Sequence, residues 1–180
     1  MDDPVLVRYA RWLGNALQGD LGRSYVTMGQ PKITYLIRRS LPVSLQLGFA
    51  ALVVVILLGI PMGVLAAVYQ NRPLDYLIVG GSTLLSSIPG YVLAPVAMIF
   101  LVVRWSILPS VGLGWHGLLS EKTILPVLVL AVGRLLPVVR YTRSSVLEVL
   151  SEEYIRAARA KGLPELMVVL KHVIKNALIP

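Results

Sequence analysis

The sequence predicts an all-α membrane protein with about three transmembrane helices. Of its 180 residues, 56% are hydrophobic and only 14% are charged, which is too apolar for a soluble domain of this length. Residues 40–71 and 76–103 contain no charge, and each run exceeds the ~20 helical residues that cross the hydrocarbon core. A net charge of +8 also occurs in nucleic-acid-binding proteins, but those lack such apolar runs. We therefore expect a lipid bilayer, and no nucleic acid, as the partner.

Residues 1–40 are predicted to form an external or interfacial amphipathic segment. A helix is expected from Asp3, as the N-cap, and Pro4 to about Gln18, with Gly19 closing it. Its apolar stripe consists of Val5, Tyr9, Trp12, Leu13, Ala16 and Leu17. Two interpretations remain open: the stripe packs on its own protein, or the helix lies in the lipid headgroup region.

The transmembrane helices are predicted at 41–68, 76–103 and 124–146. The first contains Gly59 and Gly63, a spacing that allows two helices to approach closely, and we interpret it as a packing site. An external loop is expected at 104–123. Within it, Gly112 to Gly117 has the glycine spacing of a phosphate-binding loop, but Leu118 stands where that loop requires lysine, which excludes the motif.

The second span is interrupted near its middle by Ser86, Ser87 and Pro89. Proline and glycine at this depth leave backbone groups that lipid cannot satisfy. Two interpretations remain open. Neighbouring helices could satisfy a simple kink, or the break could line a cavity within the membrane.

Arg134 lies about ten residues from each end of the third span. A charge at the bilayer centre costs ~2.5–3.5 kcal/mol on insertion scales, so the side chain should face protein or water rather than lipid. It could pair with a carboxylate or with carbonyl groups of a helix outside this sequence, or it could meet an anionic ligand in a cavity.

The polar stretch after the third span is predicted to form two short helices. The first is expected from about Glu152 to Lys161, with Ser151 at its start and Gly162 as a left-handed C-cap. Pro164 fits the first turn of the second helix. One face of the first helix carries Tyr154, Ala157, Ala158 and Lys161. Small side chains in the middle of that face suit docking into another protein's cleft.

The same stretch has a regular pattern of residue types. An acidic-aromatic pair and an Ala-rich basic run ending in glycine precede His, Asn and Pro, which follow at intervals of ten, four and four residues. The pattern is formed by Glu153, Tyr154, Ala157–Gly162, His172, Asn176 and Pro180. It resembles the cytoplasmic coupling loop of ABC-transporter permeases, in the branch that imports dipeptides, oligopeptides and nickel. Arg156 departs from the wider importer pattern, which has Glu there.

The resemblance implies a permease subunit, without enzymatic activity, in a bacterial or archaeal cytoplasmic membrane. It would work with ATPase subunits, a second permease subunit and an extracytoplasmic solute-binding protein, and ATP and magnesium would bind the ATPase rather than this chain. The coupling loop would occupy 147–180 together with the start of the next helix. The residues expected to contact the ATPase subunit are Glu153, Tyr154, Ala157, Ala158 and Gly162.

The break in the second span and the charge in the third give candidates for the lining of a solute cavity, namely Ser86, Ser87, Pro89 and Arg134. Because the family has about six spans, the chain is expected to be a partial permease, and a truncated permease without activity is one alternative. A membrane scaffold or regulatory protein is another, although it leaves the coupling pattern unexplained. An intramembrane hydrolase is disfavoured because His116 and His172 are not placed beside a mid-membrane serine.

The distribution of positive charge leaves the orientation undecided. Residues 1–40 and 104–123 together carry eight Lys and Arg, and 69–75 and 140–180 together carry eight. Discounting Arg8 and Arg11, which lie far from any span, weakly favours a cytoplasmic 140–180. The resemblance implies the same orientation.

Overall fold

A computed structural model of the protein describes residues 4–26, 30–110 and 117–177. Its α-helices are α1 (Val5–Leu17), α2 (Ile33–Val68), α3 (Pro73–Ser87), α4 (Gly90–Ala97), α5 (Ile124–Ser151), α6 (Glu153–Ala160), α7 (Glu165–Met167) and α8 (Ile174–Ala177). Two π-helical segments, Met98–Arg104 and Val168–Val173, continue α4 and α7, and a 3-10 turn at Glu121–Thr123 leads into α5. In the described part of the chain, β-pairing is limited to one isolated bridge between Arg23 and Lys32. The all-α prediction is confirmed.

The chain forms two units, residues 1–46 and 47–180. In the first, α1 starts one residue later than predicted, because Pro4 takes the N-cap position, and Gly19 follows the helix with a φ of +84°. Asp3 lies outside the described residues. No residue of α1 is buried, and Trp12 is 50% exposed. The two interpretations of its apolar stripe remain predictions.

Helix α2 begins at Ile33, well before the uncharged run, so the prediction of a start near 41 was wrong. The backbone N–H of Ile33 donates to the carbonyl of Gly22, and the Thr34 hydroxyl donates to the carbonyl of Gly19 at 2.9 Å. These bonds start the helix at the end of the preceding loop. Charge alone does not stop a helix, so Arg38 and Arg39 lie inside it.

Helices α2 and α5 are each long and apolar enough to cross a bilayer. They meet at the predicted glycine pair. A Cβ atom added at Gly59 would lie 2.9 Å from Cγ1 of Val138, and one added at Gly63 would lie 2.8 Å from the carbonyl oxygen of Val139. Both contacts are too short for any larger side chain, so the interpretation of the glycines as a packing site is confirmed.

The segment predicted as the second span is helical but sharply bent. α3 and the helix from Gly90 to Arg104 meet at 95°, with Ile88 and Pro89 in extended conformations between them. In the described residues this makes two membrane-length helices, or three spans if the bent pair counts as one. The predicted break is therefore confirmed, and its bend is far larger than a simple kink.

Helix α5 continues to Ser151, five residues past the predicted end of the third span. Its extra residues are held by packing: Leu147, Val149 and Leu150 lie against the cluster that the fully buried Val146 forms with the segments that follow. The membrane helix and the polar segment after it consequently form one packed structure.

Candidate functional site

The candidate site is the helical segment after α5, which we call the coupling segment (residues 152–177). Helix α6 is anchored by Ile155 and Ala158, three residues apart on one face, which are 0% and 8% exposed. They pack with Val146 of α5 and with the helix formed by α7, the second π-helical segment and α8, through Val168 and Val173. The apolar cluster holds α6 against the end of α5.

The turn after α6 forms as predicted. Gly162 has a φ of +75°, the N–H of Gly162 donates to the carbonyl of Arg159 at 2.9 Å, and the N–H of Leu163 donates to the carbonyl of Ala158 at 3.4 Å. Together these bonds make a Schellman motif, with Leu163 packing on the cluster that contains Ala158. Pro164 lies one residue before α7, as its N-cap. The direction of the second helix is thus set by a glycine in a left-handed conformation.

Two details of the predicted first helix are wrong. Ser151 does not cap α6: it is the last residue of α5, and its hydroxyl donates to the carbonyl of Glu148 at 2.7 Å. Ala158 does not belong to an exposed docking face, because the cluster around Ile155 buries it. The exposed candidates are Glu153, Tyr154, Ala157 and Gly162.

The structure brings together two residues of the coupling pattern that are far apart in sequence. The side-chain amide of Asn176 donates to the Tyr154 hydroxyl at 3.0 Å and to the carbonyl of His172 at 2.8 Å. Tyr154 is 43% exposed, so the bond holds the tyrosine at the surface without burying it. Pro180, the last residue of the pattern, lies outside the described residues.

A polar hollow of about 400 Å³ opens beside Tyr154. It lies between α5, α6 and α8, and two carboxylates, Glu148 and Glu152, are in its lining. Its other lining residues are Tyr141, Ser145, Val149, Tyr154, Asn176 and Ala177. The exposed side of the coupling segment thus presents a concave acidic surface next to a tyrosine.

An exposed ion pair braces the turn of the coupling segment. The Arg159 guanidinium donates two hydrogen bonds to Glu165, of 2.7 and 3.1 Å. These bonds lower the pKa of the Glu165 carboxyl and raise the pKa of Arg159. Both side chains are about half exposed, so the pair contributes little to stability and acts mainly on the geometry of the turn.

The second group of predicted residues surrounds the break between α3 and α4. The hydroxyl of Ser86 donates to the carbonyl of Val132 on α5 at 3.3 Å, whereas that of Ser87 donates within its own helix, to Thr83, at 2.7 Å. Pro89 is exposed at the N-cap of α4. Ser86 therefore ties the break to α5.

Arg134 is exposed, and no hydrogen bond or ion pair joins its side chain to another described residue. The hydroxyls of Ser86 and Ser87 donate to the carbonyl groups of Val132 and Thr83 and not to Arg134. A shared role for these four residues in lining a solute cavity remains a prediction.

Sequence reasoning missed the most polar contact between the membrane helices. Arg143 of α5 makes two hydrogen bonds to Asp75 of α3, of 2.8 and 2.7 Å, and Asp75 is only 3% exposed. The sequence signal that could have indicated this pair was one carboxylate, Asp75, at the start of an apolar segment and one arginine, Arg143, near the end of the next. The contact also places the start of α3 beside the part of α5 that leads into the coupling segment. Among the described residues, no group of three or more His, Asp or Glu could hold a metal ion.

Comparison with known proteins gives a consistent result. Residues 59–180 match the family model described as the inner membrane component of binding-protein-dependent transport systems. The chain is 38% identical to the oligopeptide transport system permease protein OppB of Escherichia coli (strain K12), over 100% of the chain and 58% of that protein. Identity is 37% to the oligopeptide permease protein AppB and 34% to the dipeptide permease protein DppB, both of Bacillus subtilis (strain 168), over the whole chain and 58% and 57% of those proteins.

The chain thus spans somewhat more than half the length of the curated relatives that it matches. The family match covers the glycine pair of α2, the bent helices, α5 and the coupling segment. The resemblance inferred from the coupling pattern is confirmed. The protein belongs to the family of inner-membrane components of binding-protein-dependent transport systems.

Proposed function

We propose that the protein is a permease subunit of an ATP-driven importer, in which the coupling segment receives the motion of an ATPase subunit. The cargo would be a peptide, with nickel or another small solute as the alternative. Support for a peptide comes from the relatives, which are named as permease proteins of oligopeptide and dipeptide transport systems.

The observation that carries this proposal is the construction of the coupling segment. On α6, Ile155 and Ala158 are buried against the rest of the protein, whereas Glu153, Tyr154 and Ala157 are exposed. A short helix with its own apolar anchor can be pushed as a unit, because its buried side is joined to α5. A free loop would absorb the same displacement without passing it on.

The mechanism that follows is alternating access. Closure of two ATPase subunits on ATP and magnesium would displace α6, and α5 would carry the displacement into the membrane. The cavity between this chain and a second permease subunit would then change from outward-facing to inward-facing. An extracytoplasmic binding protein would deliver the solute.

This account requires residues 147–180 to be cytoplasmic. This sequence contains no cysteine, so one placed at the exposed Lys161 would be the only thiol within it, and any cysteine elsewhere in the complete permease would be replaced. A membrane-impermeant maleimide should label it in inside-out vesicles and leave it unlabelled in intact cells. Labelling from outside intact cells would contradict the orientation.

Solute uptake tests the function itself. A complete permease that carries this sequence would be assembled with its second permease, ATPase and binding-protein partners in vesicles. We expect labelled peptide to accumulate with ATP and not with a non-hydrolysable ATP analogue, which serves as the control. Absence of ATP-dependent uptake of peptides, nickel and other small solutes captured by the binding protein would overturn the proposal.

A further inference from the structure

The polar contacts between α3 and α5 occur at three levels along their length. Asp75 pairs with Arg143, the Thr83 hydroxyl accepts a hydrogen bond of 3.3 Å from Arg140, and the Ser86 hydroxyl donates to the backbone of α5 at Val132. From one contact to the next, the residue number rises along α3 and falls along α5, so the two helices run antiparallel. At 1.5 Å per residue they cover ~16 Å of helix.

We propose that α3 and α5 form a rigid strut between the coupling segment and the helix break at Ile88–Pro89, and that Asp75 and Arg143 are the positioning residues that keep it in register. The proposal rests on the proposed function, because it assigns the path by which displacement of α6 reaches the membrane. It names two residues that neither the coupling pattern nor the predicted cavity lining contains.

The strut begins at the coupling segment. Val146 is packed in the same cluster as Ile155 of α6, and it lies less than one helical turn after Arg143. A displacement of α6 must therefore move the part of α5 that carries Arg143. At its other end the strut reaches the break, where Ser86 holds the last turn of α3 against α5.

The ion pair suits the task of fixing register. Its two parallel N–H···O bonds define both distance and direction, as bidentate arginine–carboxylate pairs do. Asp75 is further held by the backbone N–H of Asn71, at 3.0 Å, which fixes the carboxylate from the loop side. Buried ion pairs add little net stability compared with apolar residues of similar size, so geometry is what this pair supplies here.

The contact of α5 with α2 differs in kind. It is made by the backbone of Gly59 and Gly63 against apolar side chains and Thr142, without a hydrogen bond or ion pair between the described side chains of the two helices. Val64 and Ala67 of α2 also belong to the cluster that contains Val146, so α2 packs on the same part of α5. What distinguishes α3 is that directional polar contacts, and not apolar packing alone, fix its register against α5.

The test compares transport and ATP hydrolysis in the assembled importer. Asp75→Asn and Arg143→Gln each break the pair, Arg143→Lys keeps the charge but loses the second bond, and the double variant Asp75→Arg with Arg143→Asp reverses it. Arg39→Gln, at an exposed arginine of α2, is the matched control. We expect the single variants to hydrolyse ATP while solute moved per ATP falls at least about fivefold, the lower end of usual coupling. The reversed pair should recover part of this ratio.

The outcomes separate the strut from the proposed function. If the unmodified importer moves solute and Arg143→Lys, present in the membrane at normal level, has an unchanged ratio of transport to hydrolysis, the strut is overturned. If Asp75→Asn or Arg143→Gln fails to accumulate in the membrane, the strut is judged from the ratio of transport to ATP hydrolysis measured for Arg143→Lys. If the unmodified importer moves no solute, the proposed function fails instead.

Discussion

Gly63 lies so close to Thr142 that a Cβ atom on the glycine would be 2.6 Å from the Cβ of the threonine. Real side chains do not approach to this distance, so α2 and α5 can keep their contact only with glycine at this position. The relationship links the first membrane-length helix to the helix that carries the coupling segment.

Replacement of Gly63 by alanine should therefore separate α2 from α5. We expect a loss of ~1–3 kcal/mol of stability, the usual cost of overpacking, and a lower midpoint in thermal unfolding in detergent. Gly48→Ala is the matched control in the same helix, because a Cβ there meets nothing within 4 Å. Equal midpoints for the two variants would contradict the packing described for α2 and α5.

Ala157 and Ala158 should respond differently to the same enlargement. Ala158→Trp fills space occupied by the cluster around Ile155, and we expect it to reduce the amount of folded protein in the membrane. Ala157→Trp adds bulk on the exposed side and should leave that amount unchanged while transport falls. Size-exclusion profiles and solute uptake measure the two effects. Folding defects of equal size in both variants would show that Ala157 is not on the free face.

Gly162 should be required for its backbone conformation and not for lack of space. Its φ is +75°, and a Cβ there would meet nothing within 4 Å. Alanine at this position would therefore be destabilised only by the left-handed backbone conformation, by ~1–2 kcal/mol. Asparagine tolerates this conformation better than alanine does. We expect transport to fall with Gly162→Ala and to fall less with Gly162→Asn, at normal membrane levels. Equal loss with both substitutions would point to a steric contact with a partner.

The turn between α6 and α7 should weaken in acid. Arg159 lowers the pKa of Glu165 below its ordinary 4.5, so the pair contributes fully above that value and is lost as the pH falls through the lowered value. Hydrogen exchange of the hydrogen-bonded backbone amides of Lys161, Gly162 and Leu163 should therefore show less protection at low pH, after correction for intrinsic exchange rates. Glu165→Gln should lack this pH dependence. An identical pH profile in that variant would assign the change to another group.

The elements that depend on local signals could be predicted from the sequence. Uncharged runs located the membrane helices, the Pro–Gly break located the bend, and Gly162 ended α6, because each of these depends on a few adjacent residues. The extent of the helices was less well predicted. α2 and α5 run past the uncharged residues because hydrogen bonding near Gly22 and packing at Val146 extend them.

The features that depend on contacts distant in sequence could not be predicted. The burial of Ala158 depends on Val168 and Val173, and helical periodicity alone did not show which face of α6 they would cover, although Ile155 was a cue. The bond between Asp75 and Arg143 joins residues 68 positions apart. No local pattern marks such a pair, and the antiparallel alignment of α3 and α5 is what brings it together.

Crosslinking from the exposed face of α6 tests the central claim most directly. This sequence contains no cysteine, so Ala157→Cys adds the only thiol within it, and cysteines elsewhere in the assembled importer would be replaced before the thiol is given a photoactivatable crosslinker. We predict a crosslinked product that contains the ATPase subunit and changes in yield when ATP is added. The buried Ala158→Cys should give little of this product. Efficient labelling at 157 without any product containing the ATPase subunit would contradict the assignment of this segment to coupling.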